Sequence, residues 1–329
     1  MKETVLVLGD LDVFYISYDE PAKEEHWANL MMKFPFAKRV DGVKGFDNAH
    51  KECARQSETD RFISIDGDNI VDEKFFDLEI TFPPGTDLEH SVISWSAKNM
   101  VNGLVYGNGG IKCWPVDLVL EMETHENAVD ETKKVDFCWD LSYIQMNNIY
   151  SEVYNAGSPF QAFRAGYREG VKMSLDEGKQ VPIEDFQKRI WPKNYERLLT
   201  WCNIGADVEN GIWACFGARL GCHDINFVDG YKLENISSFD WFKTYFEEEV
   251  LPLCKSDKDN EKCSRTGTEW NYDMLYDEAL RIGDILNDKM GMEICDPAPE
   301  VSAFFKRTYN NPSRTKNPVA TEKQTGWDR

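Results

Sequence analysis

Five short segments alternate in character over the first seventy residues, and that alternation limits the fold more than anything else in the chain. Asp12-Val-Phe-Tyr-Ile-Ser-Tyr18 is rich in β-formers and stops at Asp19-Glu-Pro21, Glu24 to Met32 has a helical pattern, and Ala37 to Val40 is a short strand ending near Gly42. Gly45 to Arg55 follows with helical spacing and Asp47 or Asn48 as its N-cap; Phe62-Ile-Ser-Ile65 is then a β-forming run that breaks into Asp66-Gly67-Asp68. Strand, helix, strand, helix, strand is the pattern of a parallel sheet, whose ligands gather at the carboxyl ends of its strands. Tyr18, Asp19, Asp66 and Asp68 fall at such ends. Two carboxylates closing a buried strand suit a hard cation, Mg²⁺ or Mn²⁺, with a substrate phosphate completing the shell; the bland alternative is a solvated Asp-Gly turn.

Composition sets the outer limits. At 329 residues with 42% hydrophobic and 13% aromatic content, the chain can build a real core and is not a disordered sequence. Its 37 basic and 58 acidic residues leave a net charge of −21, so nucleic acid and anionic membranes are repelled on average, and a polyanion needs a local basic patch to be held. The apolar run before Asp10 is too short for a signal peptide and no later run approaches a membrane span, which points to the cytoplasm and to no membrane partner. The nine cysteines are scattered and lack any C-x-x-C pair, which argues against a disulfide framework and a structural zinc site.

Leu78 to Phe82 and Ser91 to Trp95 read as strands, and Gly107, Gly109 and Gly110 mark a turn or a close backbone approach that could line a ligand. No P-loop pattern occurs. The segment from Glu121 to Glu131 reads as an acidic surface loop. In Phe160 to Met173, Arg164, Arg168 and Lys172 are spaced four apart on one helical face; they suit either a phosphate or pairing with Glu169, Asp176 and Glu177. Asp207 or Asn210 caps a small-residue-rich helix, with Gly211, Ala214, Gly217 and Ala218 permitting close contact and Ile212, Cys215 and Phe216 free to pack on a sheet. His26, His50, His90 and His125 show no ligand spacing. Beyond Ser238 the pattern turns helical, and Lys306 to Arg329 reads as a basic tail that is mobile.

The stretch from Val43 to Asp68, with Gly45, Asn48, Ala54, Phe-Ile-Ser-Ile and Asp66-Gly-Asp68, resembles the nucleotide-sugar-binding half of GT-A glycosyltransferases, particularly the family-2 type. The usual Arg-Asn pair is replaced by Asp47-Asn48 with Lys44 nearby. The resemblance implies a GT-A-like, Rossmann-like α/β core with a mixed sheet and flanking helices over residues 1–235, a helical C-terminal extension over 236–305 and a tail over 306–329. It implies donor contacts from Tyr18, Asp19, Lys44, Asn48, Asp66, Gly67, Asp68, Asn108 and Lys112, with Trp114 facing the acceptor. It further implies a metal held by Asp66, Asp68 and His223, and a base at Asp207 or Glu209, where Gly205-Ala-Asp-Val-Glu209 is similar to the family's acidic helix-opening motif. The stretch Asp12 to Pro21 resembles glycosyltransferases of tailed bacteriophages, some of which modify hydroxymethylated cytosine in DNA.

The expectation is therefore a glycosyltransferase that uses Mn²⁺ or Mg²⁺ and a UDP-sugar, with double-stranded DNA as the acceptor. Alternatives are a protein or glycan acceptor, nucleotidyl transfer on a similar core, and a non-catalytic sugar-binding or structural module.

Overall fold

A computed structural model describes residues 3–124, 127, 142–254, 272–310 and 320–325, with the backbone alone for Asn108, Cys254, Tyr272 and Asp273. These residues gather into two compact units, one from within Met1–Ala128, Asp136–Tyr154 and Asn310–Arg329, the other from within Asn155–Tyr309. The chain is mixed α/β.

After β1 (Thr4–Val7), the alternating segments of the first unit become β2 (Asp12–Ser17), α1 (Lys23–Lys33), β3 (Lys38–Asp41), α2 (Phe46–Gln56) and β4 (Arg61–Asp66). β2 lies between β3 and β4 and runs parallel to both, with Ser17 opposite Asp41 and Ile16 opposite Asp66. The parallel arrangement expected from the alternation is present, and three carboxyl ends come level. β5 (Asn69–Val71), β6 (Leu78–Phe82), β7 (Ser91–Asn99), β8 (Val105–Pro115), α3 (Val116–Glu121), β9 (Ser142–Met146) and β10 (Ser151–Val153) follow. Among the described residues one mixed sheet runs β3-β2-β4-β8-β7-β10-β5, with β9 also paired to β7.

Strand alternation divides this sheet into two buried faces. Val13, Tyr15, Ile63, Ile65, Trp95 and Ile111 pack on one side with Leu30 of α1. Phe14, Phe62, Val92 and Trp114 pack on the other with Cys53 and Ala54 of α2 and Val119 of α3. Both faces are covered, which is why β4 is a continuous buried run rather than an alternating one.

Helix α2 is capped differently from the expectation. Gly45, at φ 95°, is the N-cap, a conformation that favours glycine. Asp47 turns inward instead and accepts from the Thr124 amide at 2.9 Å, the Thr124 hydroxyl at 2.5 Å and Asn127 Nδ2 at 2.7 Å.

The second unit contains α4 (Pro159–Met173), α5 (Phe186–Arg189), α6 (Pro192–Asn203), α7 (Gly211–Phe227), α8 (Phe239–Tyr245), α9 (Tyr272–Met290) and α10 (Pro299–Thr308). α4 and α7 pack through their glycines: a Cβ on Gly166 would stand 1.9 Å from the Ala214 carbonyl oxygen, and one on Gly170 would stand 2.2 Å from that of Ala218. The close contact expected of Ala214, Gly217 and Ala218 is thus between helices. In this unit α7 packs on α4, α6 and α9, not on a sheet, because its small-residue stripe fits another helix backbone. Asn210 takes the N-cap position at φ 56°, while its side chain donates to the Ala156 carbonyl rather than to the helix.

Two expected boundaries move. The unit boundary falls near residue 155 instead of 235, since α4 needs α7 to bury its glycine face. The tail is partly structured: α10 runs to Thr308, and β11 (Thr321–Gln324) pairs antiparallel with β6 in a second sheet of order β1-β6-β11. Residues 311–319 and 326–329 of that tail lie outside the described residues, as do most of the acidic loop and residues 255–271. Cys53, Cys113, Cys202, Cys215 and Cys222 are free and buried. No described helix is long and apolar enough to cross a membrane.

Candidate functional site

At the carboxyl end of β4 the chain turns through Asp66-Gly67-Asp68 into Asn69 of β5. β8 runs antiparallel beside β4, with Ile111 opposite Ile65 and Lys112 opposite Ser64. On its other side β8 slips register against β7, so that residues 107–110 fall between the Trp95↔Ile111 and Ala97↔Tyr106 pairs. This glycine bulge therefore sits beside the acid turn. Gly107 is at φ 67°, whereas Gly109 and Gly110 serve close packing: Cβ atoms there would strike the Ala97 amide and the Asn69 side chain. Close backbone approach, one of the roles expected of these glycines, is thus what Gly109 and Gly110 serve.

Lys112 is 1% exposed and its Nζ lies 3.0 Å from the Gly109 carbonyl oxygen and 3.6 Å from Asp66 Oδ2. It thus lies beside the acid turn. Trp114 does not follow. It is 0% exposed, donates from Nε1 to Ser64 Oγ at 2.8 Å and packs edge-on against His50, so no acceptor can reach it. The physical reason is register: β8 runs away from the bulge, and two residues beyond Lys112 the chain is already opposite Phe62 in the core. Asn108 belongs to the bulge by its backbone.

Tyr18 and Asp19 are exposed just past β2, level with the acid turn. Glu20 folds back, its Oε2 accepting from the Tyr18 amide at 2.7 Å and lying 2.8 Å from where a Gly67 Cβ would be. Beside them Ser17 Oγ donates to Asp41 Oδ1 at 2.6 Å and Lys23 Nζ donates to the same oxygen at 2.8 Å. Arg39 closes the network, donating from Nε to Ser17 Oγ at 3.1 Å and through both terminal nitrogens to Glu24. The hydrogen bond from Lys23, then that from Ser17, holds the Asp41 carboxyl below its usual range. Glu20, Lys23, Arg39 and Asp41 escaped the sequence reading; the acid two residues beyond Tyr18 was the available signal for Glu20. Lys44 and Asn48 are exposed at the start of α2, with Asn48 Nδ2 donating to the Lys44 carbonyl at 3.2 Å.

Asp68 is half-buried, and burial first, then the Asp66 and Glu20 carboxylates, push its carboxyl up to about 7. The folded chain thus keeps a proton that an unfolded Asp gives up near pH 3.9. Stability from this group is fully present below about pH 4 and is lost as pH rises through about 7. Asp68→Asn is expected to flatten the stability profile across that window. It should be the more stable chain at pH 8 in metal-free buffer, by on the order of 1–2 kcal/mol after discounting for partial solvent access. Thermal melts at several pH values check this, and a variant profile parallel to wild type would contradict it.

The carboxylates fit a hard divalent cation in chemistry: Asp66 and Asp68 supply oxygen, and Asp68 is crowded by burial and by the Asp66 and Glu20 carboxylates. Among the described residues no three His, Cys, Asp or Glu side chains form a metal-holding group, so two protein ligands would leave the other positions to water or phosphate.

The remaining expected residues belong to the second unit. His223 Nδ1 lies 3.0 Å from Asp224 Oδ1, and Asp224 Oδ2 accepts from the Tyr167 and Tyr245 hydroxyls at 2.8 and 2.9 Å. Asp207 is ion-paired with Lys306 at 2.6 Å, and Glu209 is exposed. Lys172 pairs with Glu169 at 2.7 Å, and the Arg164 guanidinium lies over the Phe239 and Phe242 rings. Arg168 is half-buried, and its Nε has no hydrogen-bond partner among the described residues. The stripe is thus partly drawn into its own unit.

Comparison finds no match to this chain among protein-family models, curated proteins or solved structures.

Proposed function

We propose that the chain is a metal-dependent glycosyltransferase of GT-A type, moving a sugar from a UDP-sugar to an acceptor hydroxyl, with hydroxylated or hydroxymethylated cytosine in DNA as the acceptor. The observation that carries the reading is Asp66-Gly-Asp68 at the carboxyl end of β4, level with Tyr18-Asp19 after the neighbouring parallel strand and flanked by the β8 bulge. Asp66 and Asp68 would hold Mn²⁺ or Mg²⁺. When bound, such a cation stabilises the departing diphosphate without a proton. Lys112, close to Asp66, adds a fixed positive charge at the same place. Tyr18 and Asp19 are exposed where a nucleoside would lie in this reading, and Lys44 and Asn48 are exposed at the start of α2. Asp207, Glu209 and His223, expected as base and third metal ligand, belong to the second unit, where Asp207 pairs with Lys306 and His223 with Asp224, and the reading rests on none of them.

The net charge of −21 favours a second reading, in which the acceptor is a protein or glycan. Incubating the protein with Mn²⁺ and a panel of UDP-sugars, with and without hydroxymethylcytosine DNA, and weighing the products by mass spectrometry separates the two. The expected result is a hexose or pentose mass gain on DNA that falls steeply as salt is raised. No gain on DNA with any donor rejects the DNA acceptor. UDP-sugar turnover indifferent to chelator rejects the metal.

A further inference from the structure

The acid turn is gripped from inside the first unit by two side chains that belong to no motif. The Gly67 carbonyl oxygen accepts from the Tyr15 hydroxyl at 2.7 Å and from His26 Nδ1 at 3.0 Å. Both donors are buried, Tyr15 at 0% and His26 at 5% exposure. A carbonyl can only accept, so His26 carries its proton on Nδ1, and Tyr15 shares its single proton between Gly67 and the Lys23 carbonyl at 2.9 Å. The ring of His26 is backed by Tyr154 and that of Tyr15 by Trp27, which fixes both rotamers.

A Cβ at 67 would stand 2.8 Å from Glu20 Oε2, the movable end of a side chain, and 3.1 Å from the Ile16 carbonyl oxygen, so glycine gives the easiest fit there. Glycine also lets the next peptide turn over at little cost. In a planar trans peptide the Asp68 N–H points opposite to the Gly67 C=O, so pinning the carbonyl inward aims that N–H outward. Its neighbours are fixed too: the Asp68 carbonyl accepts from the Tyr154 amide at 2.7 Å, and Asn69 Nδ2 donates to Asp68 Oδ1 at 2.8 Å.

We infer that His26 and Tyr15 are positioning residues, which lock the Gly67–Asp68 peptide and so fix the Asp66 and Asp68 carboxylates relative to each other for a single divalent cation. The inference rests on the metal reading proposed above. It names the groups that make two flexible acids, joined through a glycine, a preorganised pair.

Mn²⁺ binding to the full chain, followed by loss of the free-ion electron paramagnetic resonance signal, tests it with wild type, His26→Ala, His26→Asn and Tyr15→Phe. Asn places an amide N–H where His26 Nδ1 stands. His26→Ala is expected to weaken Mn²⁺ binding by about 10–100-fold, the range for loss of an outer-shell partner. His26→Asn should recover most of that, and Tyr15→Phe should weaken binding with the metal-free melting temperature little changed. Wild-type affinity in His26→Ala overturns the clamp, and so does equal weakness in His26→Ala and His26→Asn, which would show a packing role only. If His26→Ala fails to fold, His26→Asn and Tyr15→Phe carry the comparison. A wild-type chain that takes up no Mn²⁺ overturns the metal reading itself and the clamp with it.

Discussion

Arg219→Met is expected to destabilise the second unit by about 3–5 kcal/mol, the scale for leaving several backbone carbonyls without their donor at about 1–3 kcal/mol each. Arg219 is 0% exposed on α7. Its guanidinium donates to three backbone carbonyls, those of Cys202 at 2.9 Å, Ala279 at 2.7 Å and Cys295 at 2.7 Å. It therefore ties α6, α9 and the segment before α10 to one side chain. Methionine fills similar volume but leaves those carbonyls without their donor, those of Cys202 and Ala279 in buried places. Arg219→Lys keeps the charge and loses the fork, so it should fall between the two. Urea unfolding followed by tryptophan fluorescence checks both, and an unchanged midpoint for Arg219→Met would contradict the role assigned to it.

The second large effect concerns chemistry. Asp68→Ala is expected to lower metal-dependent UDP-sugar turnover by more than the roughly 10–100-fold that losing an outer-shell partner costs, since it removes one of two proposed protein ligands. The fold should survive, because the alanine relieves a crowded carboxylate instead of opening a core cavity. Asp207→Asn should leave metal binding intact whatever it does to turnover, since Asp207 is tied to Lys306. Metal loss in Asp207→Asn, or normal turnover in Asp68→Ala, would break the assignment of roles.

Much of the first unit was legible because its signals are local. β2, α1, β3, α2 and β4 follow from periodicity and breakers, and the parallel sheet follows from their order. That Asp66-Gly67-Asp68 ends a buried strand was visible in the change from Phe-Ile-Ser-Ile to two acids. Lys112 and Trp114 show where local reading stops. They share a strand face, but only the antiparallel register with β4 tells that Lys112 lies near the turn and Trp114 in the core. β11 was hidden because Thr321-Glu-Lys-Gln324 is a largely exposed strand with no apolar alternation, and its pairing with β6 is set far along the chain. The unit boundary near residue 155 was equally invisible, because the glycines of α4 acquire meaning only against the backbone of α7. The clamp on Gly67 could not be read at all: Tyr15 lies mid-strand and His26 mid-helix, and nothing in their spacing joins them to the turn.

The central claim is that Asp66 and Asp68 hold a divalent cation against the diphosphate of a nucleotide sugar. Its most direct test is a Mn²⁺ titration of wild type and Asp68→Ala by electron paramagnetic resonance, with and without UDP. The expected result is saturable binding in wild type that tightens when UDP is present and is lost in Asp68→Ala. Binding that is absent in wild type, or the same in both chains, would contradict it.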